Sequence, residues 1–168
     1  TPDGLSASAT CTIPQSANVS YNAFIDSTKT STSITYRVRT EINDILGEAN
    51  YYRVFSEIIQ VGSFFGSGTT KTSFPMDGGV LNDKNKDGTK IYPDIFTQIV
   101  YESNTQTLDK YFNSYLLTID FHYYEYYRTK NSFSEEPFAE PSQIYSNISG
   151  GLGVFAGYQI HKITIDMP

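Results

Sequence analysis

Apolar and polar residues alternate with a period of two along several stretches of this chain, the pattern of strands that bury one face. The clearest runs from Ile34 to Ile42, where Ile34, Tyr36, Val38 and Ile42 share a phase. Val19 to Asp26 alternates in the same way, and Tyr51 to Val61 sets Tyr52, Val54, Ile58 and Val61 among polar neighbours. Ser6 to Ile13, Ile95 to Tyr101, Tyr115 to Ile119 and His161 to Asp166 are shorter candidates. Between them, Ser27–Ser33, Asn43–Asn50, Gly62–Thr70 and Asn104–Asp109 read as connections, and Phe74 to Pro93 as polar and turn-rich. In the glycine- and serine-rich Gly62–Thr70 stretch, Phe64 and Phe65 are expected to tuck inward. One segment departs from the alternation. Asp120 stands where an N-cap belongs, ahead of Phe121 to Lys130, with Arg128 and Lys130 at the end that favours cations. Phe121, Tyr124 and Arg128 define its expected packing face. The pattern predicts an all-β antiparallel sandwich with one short tyrosine-rich helix packed on it.

Composition narrows the function classes. A length of 168 residues suits a single domain, taken as 1–168. The net charge is −6 and the cations are scattered, which excludes the basic footprint of a nucleic-acid binder. No apolar run approaches the roughly 20 residues that a membrane-spanning helix needs. The single cysteine, Cys11, permits no intrachain disulfide. Ser8-Ala9-Thr10 ahead of it lacks the hydrophobic run of a signal peptide, so Cys11 reads as a buried strand residue.

The sharpest chemical motif is Asp83-Lys84-Asn85-Lys86-Asp87-Gly88, with Thr89 and Asp94 completing a twelve-residue loop. Hard oxygens from Asp83, Asn85, Asp87, Thr89 and Asp94 around a turn glycine form a calcium-type ligand set. Pro93, an Asp in place of Glu at the last position and three nearby lysines favour the alternative, a polar hairpin turning at Asp87-Gly88. Glu135, Glu136 and Glu140 supply carboxylates for a hydrolase reading, but their spacing fixes no separation and a solvated loop explains them. His122 and His161 have no partners at zinc-ligand spacing, and Gly151-Leu152-Gly153 continues as strand where a nucleotide fingerprint needs a helix. No catalytic residues and no nucleotide cofactor are assigned. Tyrosine pairs at 51–52, 123–124 and 126–127 cannot all face one core, so Tyr123, Tyr126 and Tyr127 are candidate ligand contacts.

The run from Pro137 to Ile160 organises the rest. Pro137 and Pro141 forbid regular helix, and Gly150, Gly151 and Gly153 admit close backbone approach. Asn147, Phe155 and Gly157 complete the set expected to thread against a β core as scaffolding. Pro137–Pro141, Tyr145–Ile148 and Gly151–Tyr158 resemble the signature of a family of outer-membrane lipoproteins of unknown function found beside TonB-dependent receptors in Gram-negative anaerobes. Asn50–Val54, Asn82–Tyr92 and Tyr123–Tyr127 are similar to three further blocks of that family. The resemblance implies a C-terminal β domain of a longer lipoprotein, lipid-anchored at the outer membrane or cell surface through a segment outside this chain. It implies a non-enzymatic accessory role with an outer-membrane receptor in nutrient capture or transport. The residues leave a second reading open, a carbohydrate-binding or adhesive module using exposed tyrosines.

Overall fold

The structure is a computed structural model, and it describes residues 4, 6–15, 19–63, 69–93, 96–101, 106–132 and 143–167. Among the described residues, eight strands and one helix follow in order: β1 Ser20–Lys29, β2 Ser33–Asn43, β3 Tyr51–Ser63, β4 Thr69–Asn82, β5 Lys90–Ile91, β6 Phe96–Tyr101, β7 Gln106–Ile119, α1 Phe121–Asn131 and β8 Tyr158–Asp166. The strands make two antiparallel sheets. In one, β2 pairs β1 along its whole length and shares its other edge between β5 and β6. The other has the order β4-β3-β7-β8. The sandwich expected from the alternation is therefore present.

Alternation explains which side chains meet. Tyr36, Val38 and Ile42 of β2 face Tyr52, Val54 and Ile58 of β3 and Phe112 and Leu116 of β7 across the core, all buried. A polar chain crosses this interior: the Tyr21 hydroxyl on β1 bonds Ser114 on β7, which bonds Ser56 on β3 at 2.8 Å. Ser56 and Ser114 are wholly buried, and burial pushes the Tyr21 phenol up to about 12. A hydroxyl removed from water must find such a partner or carry the full desolvation cost.

Three expectations are corrected. Phe74 to Pro93 is turn-rich only beyond Asn82, where β4 ends; the turn occupies residues 83–89. The strand's turn-like Asp77-Gly78-Gly79 is a bulge: the pairing with β3 shifts between Arg53 and Phe55, Gly79 adopts φ +68°, and its N–H donates to Asp77 at 2.9 Å. The Asn104–Asp109 connection belongs in large part to β7. Ser6 to Ile13 forms no strand; it makes one bridge, Ser8 to Ser149, and Cys11 is only half-buried. Phe64 and Phe65 lie outside the described residues.

Ser114→Ala leaves the buried Tyr21 hydroxyl without its partner and is expected to cost about 1–3 kcal/mol in urea unfolding. Adding Tyr21→Phe is expected to recover part of that loss. Additive losses would show that the pair is not coupled.

Candidate functional site

Asp120 follows the last residue of β7 and is buried. One carboxylate oxygen accepts the Tyr123 amide at 2.8 Å, which caps α1. The other accepts the amides of Gly157 at 3.1 Å and Thr12 at 3.4 Å. Backbone pairing adds a bond from Asp120 N–H to the Gly157 carbonyl at 3.0 Å. One side chain thus joins the helix, the approach to β8 and the N-terminal segment.

These last two segments form a strap. Ser8 and Ser149 exchange two backbone bonds at 3.0 and 2.9 Å. The Asn147 amide donates to the carbonyls of Thr10 and Phe155, at 3.1 and 2.8 Å, and its oxygen accepts the Phe155 N–H at 2.9 Å. A Cβ on Gly150, where φ is +82°, would lie 2.5 Å from the Ser6 carbonyl oxygen. One on Gly157 would lie 2.5 Å from that of Thr12. Close approach is therefore required, but at Gly150 and Gly157 and against the N-terminal segment, which corrects the expectation of threading against the β core. Gly151 and Gly153 meet only Ile148 and Ala7 side chains. Val154 to Tyr158 does not enter the core either: Phe155 and Tyr158 are exposed, as are Leu152 and Ile160. Pro137, Pro141 and the Glu135, Glu136 and Glu140 carboxylates lie outside the described residues.

The helix docks through rings and one cation. None of its residues is buried. Arg53 on β3 donates to the Tyr123 hydroxyl at 2.7 Å, pairs Asp77 at 2.6 Å, and lies 4.4 Å from the centre of the Tyr127 ring. Burial lowers its basicity, yet Asp77 and Tyr123 outweigh that and hold it above the ordinary guanidinium value. Tyr124 rests on Tyr51 and accepts a bond from Asn82 at 2.7 Å. Phe121 also meets Tyr51, edge-on at 5.8 Å, so the packing face is 121, 123, 124 and 127; of the expected face only Arg128 is absent, exposed and paired with Glu125. Tyr123 and Tyr127 serve this interface. Tyr126 instead lines a groove of about 400 Å³ with Ile144, Tyr145, Leu152 and Ser146.

The calcium-type motif folds as a sewn turn. Asp83 accepts the Asn50 amide at 2.9 Å and Asp87 the Gly47 amide at 2.8 Å. Asp44, which the sequence motif does not contain, accepts the Gly88 amide at 2.9 Å and the Tyr52 hydroxyl. Carboxylate oxygens of Asp44, Asp83 and Asp87 come within 4.8 Å of one another. Asn85 takes a left-handed conformation, Thr89 donates to the Lys86 carbonyl at 2.6 Å, and Asp94 lies outside the described residues. Each carboxylate already ties this turn to residues 44–52. The tie alone predicts no heat on calorimetric calcium titration. A saturable heat that Asp87→Asn abolishes would make the turn an ion site instead.

On the outer face of the second sheet, Glu57 loses hydration through burial. Ser73, Asn113 and Tyr115 donate to it at 2.7, 3.1 and 2.9 Å and bring it below the ordinary glutamate value. A depressed carboxylate contributes stability that is present above the unfolded value, 4.5, and is lost as pH falls through the lower folded value. Acid unfolding of Glu57→Gln is therefore expected to be less steep below about pH 4.5 than that of the parent protein. Coincident acid limbs would show that Glu57 carries no such term.

Comparison with curated proteins and with solved structures finds no match. A protein-family model matches residues 1–164, across both sheets, the helix and the strap. The chain belongs to the family described as a domain of unknown function, DUF4249.

Proposed function

We propose that the chain is a non-enzymatic binding component of the cell envelope, lipid-anchored at the outer membrane or cell surface, that works with a TonB-dependent receptor in nutrient capture or transport. The observation that carries this reading is the strap. Its backbone is fixed by Asn147, Asp120 and two glycines with no room for a side chain. Its large apolar side chains nevertheless face water, with Leu152 93% exposed and Phe155 more than half exposed, as are Tyr158 and Ile160 at the adjoining start of β8. Apolar area left in water forgoes about 25 cal/mol per Å². A rigid patch of it loses little conformational freedom when a partner covers it, which favours recognition. The receptor and the membrane come from the signature's resemblance, on which the patch lies. The charged and polar groups with perturbed acidities at Tyr21, Arg53 and Glu57 serve internal ties, which supports binding over catalysis.

Affinity purification of the tagged chain from detergent-solubilised envelopes of its source cell is expected to bring down such a receptor. Phe155→Asp with Ile160→Asp is expected to abolish that capture while the melting temperature is held. Elution of the folded parent protein alone would sink the reading.

The groove beside Tyr126 and Tyr145 favours a second reading, stacking on a glycan. A glycan array probed with the parent protein and with Tyr126→Ala separates the two. Signals that fade in the variant support it, and silence across all glycans ends it.

A further inference from the structure

A second groove, of about 410 Å³, lies at the end of the sandwich where β7 passes into α1. Its walls are the N-terminal segment at Thr12–Gln15, the turn before β3, and the first residues of the helix. Neither the strap's apolar patch nor the Tyr126 groove includes its polar groups.

Those groups are arranged for a ligand without net charge. Asp120 caps Tyr123, and Tyr124 bonds the Asp120 carbonyl, which leaves the Phe121 and His122 amides without an acceptor among the described residues. Thr118 is 4% exposed, lines the groove, and its hydroxyl has no partner among the described residues. Asn50 is similarly buried; both its amide hydrogens go to the carbonyls of Ile45 and Glu48, at 3.3 and 3.1 Å, and its oxygen remains an acceptor. The walls therefore carry both donors and acceptors. The Asp120 carboxylate and Glu48 on the wall oppose an anion. The outward-facing helix amides oppose a cation, and three backbone N–H groups already satisfy Asp120. Tyr51, Phe121 and Ile13 add apolar surface beside these groups, and Phe121 is 48% exposed. Hydroxyls that both donate and accept, set on a ring with apolar C–H faces, match this combination.

We propose that this groove binds a small neutral polyhydroxy ligand, a saccharide ring or a polyol. The groove shares the N-terminal segment with the strap but none of the exposed apolar residues Leu152, Phe155, Tyr158 and Ile160, so the proposal stands or falls independently of the receptor reading. The test is saturation-transfer NMR and calorimetry of the chain with glucose, galactose, mannose, xylose, maltose and inositol, with acetate and ethylammonium as charged probes. At least one neutral probe is expected to bind saturably. Thr118→Val, which keeps shape and removes the hydroxyl, is expected to weaken that binding about five- to tenfold. Phe121→Ala, at a half-exposed position, is expected to weaken it comparably and serves if Thr118→Val does not fold. The proposal is overturned if no neutral probe binds the folded chain at tens of millimolar (roughly the weakest affinity such a site would show), or if only a charged probe binds. It is equally overturned if binding survives both substitutions but is lost in Tyr126→Ala, which would assign the ligand to the other groove.

Discussion

A buried carboxylate that gathers amides from three separate segments sets the geometry of this molecule. Asp120 would be costly to bury alone, but N–H groups from α1, from Gly157 and from Thr12 replace the water it loses. Asparagine at this position would present one acceptor and turn two donors toward amide hydrogens. Because one side chain serves all three segments, the helix cannot shift without moving the strap. The end of β7 fixes both.

The helix shows why that anchor is needed. Eleven residues with no buried side chain have little tendency to stay helical in water. The cap supplies one end. Along its length the docking surface is a guanidinium plane sharing its hydrogens between Asp77 and the Tyr123 hydroxyl, with the Tyr127 ring alongside. A lysine has no plane to offer the ring and no fork to reach two oxygens, so Arg53 is not exchangeable for another cation. The bulge in β4 at Asp77 belongs to the same arrangement, since it sets the carboxylate beside Arg53 on the neighbouring strand.

Strands with one buried face were legible because alternation and burial coincide: β2 carries Tyr36, Val38 and Ile42 inward in the phase that its sequence shows. The cap at Asp120 was legible too, since its mechanism is local. β4 was hidden by Pro75 and Gly78-Gly79, which read as turn chemistry; Pro75 pairs in register with Glu57 on an edge strand, and the glycines belong to the bulge. Asp44 escaped the metal-type motif because it joins Asp83 and Asp87 only through the fold. Of the three tyrosines offered as ligand contacts, sequence could not separate Tyr126 from Tyr123 and Tyr127. The difference is which ring meets Arg53, and that depends on how the helix is rotated on the sheet.

The strap failed the pattern argument for a more instructive reason. Periodicity assumes that an apolar phase faces a covering layer, and Val154 to Tyr158 was read inward on that assumption. The buried member of this stretch is Gly157, at its closest contact with Thr12, while Phe155 and Tyr158 lie at the surface. Hydrogen bonding fixes the path and the glycines set the separation, so the conformation does not depend on burying the rings. Apolar side chains with no part in holding their own backbone are under no folding constraint to be apolar. Polar residues at Leu152 and Phe155 would leave the Asn147 and Asp120 bonds in place, and the reason for hydrophobic ones is to be sought in what meets that surface.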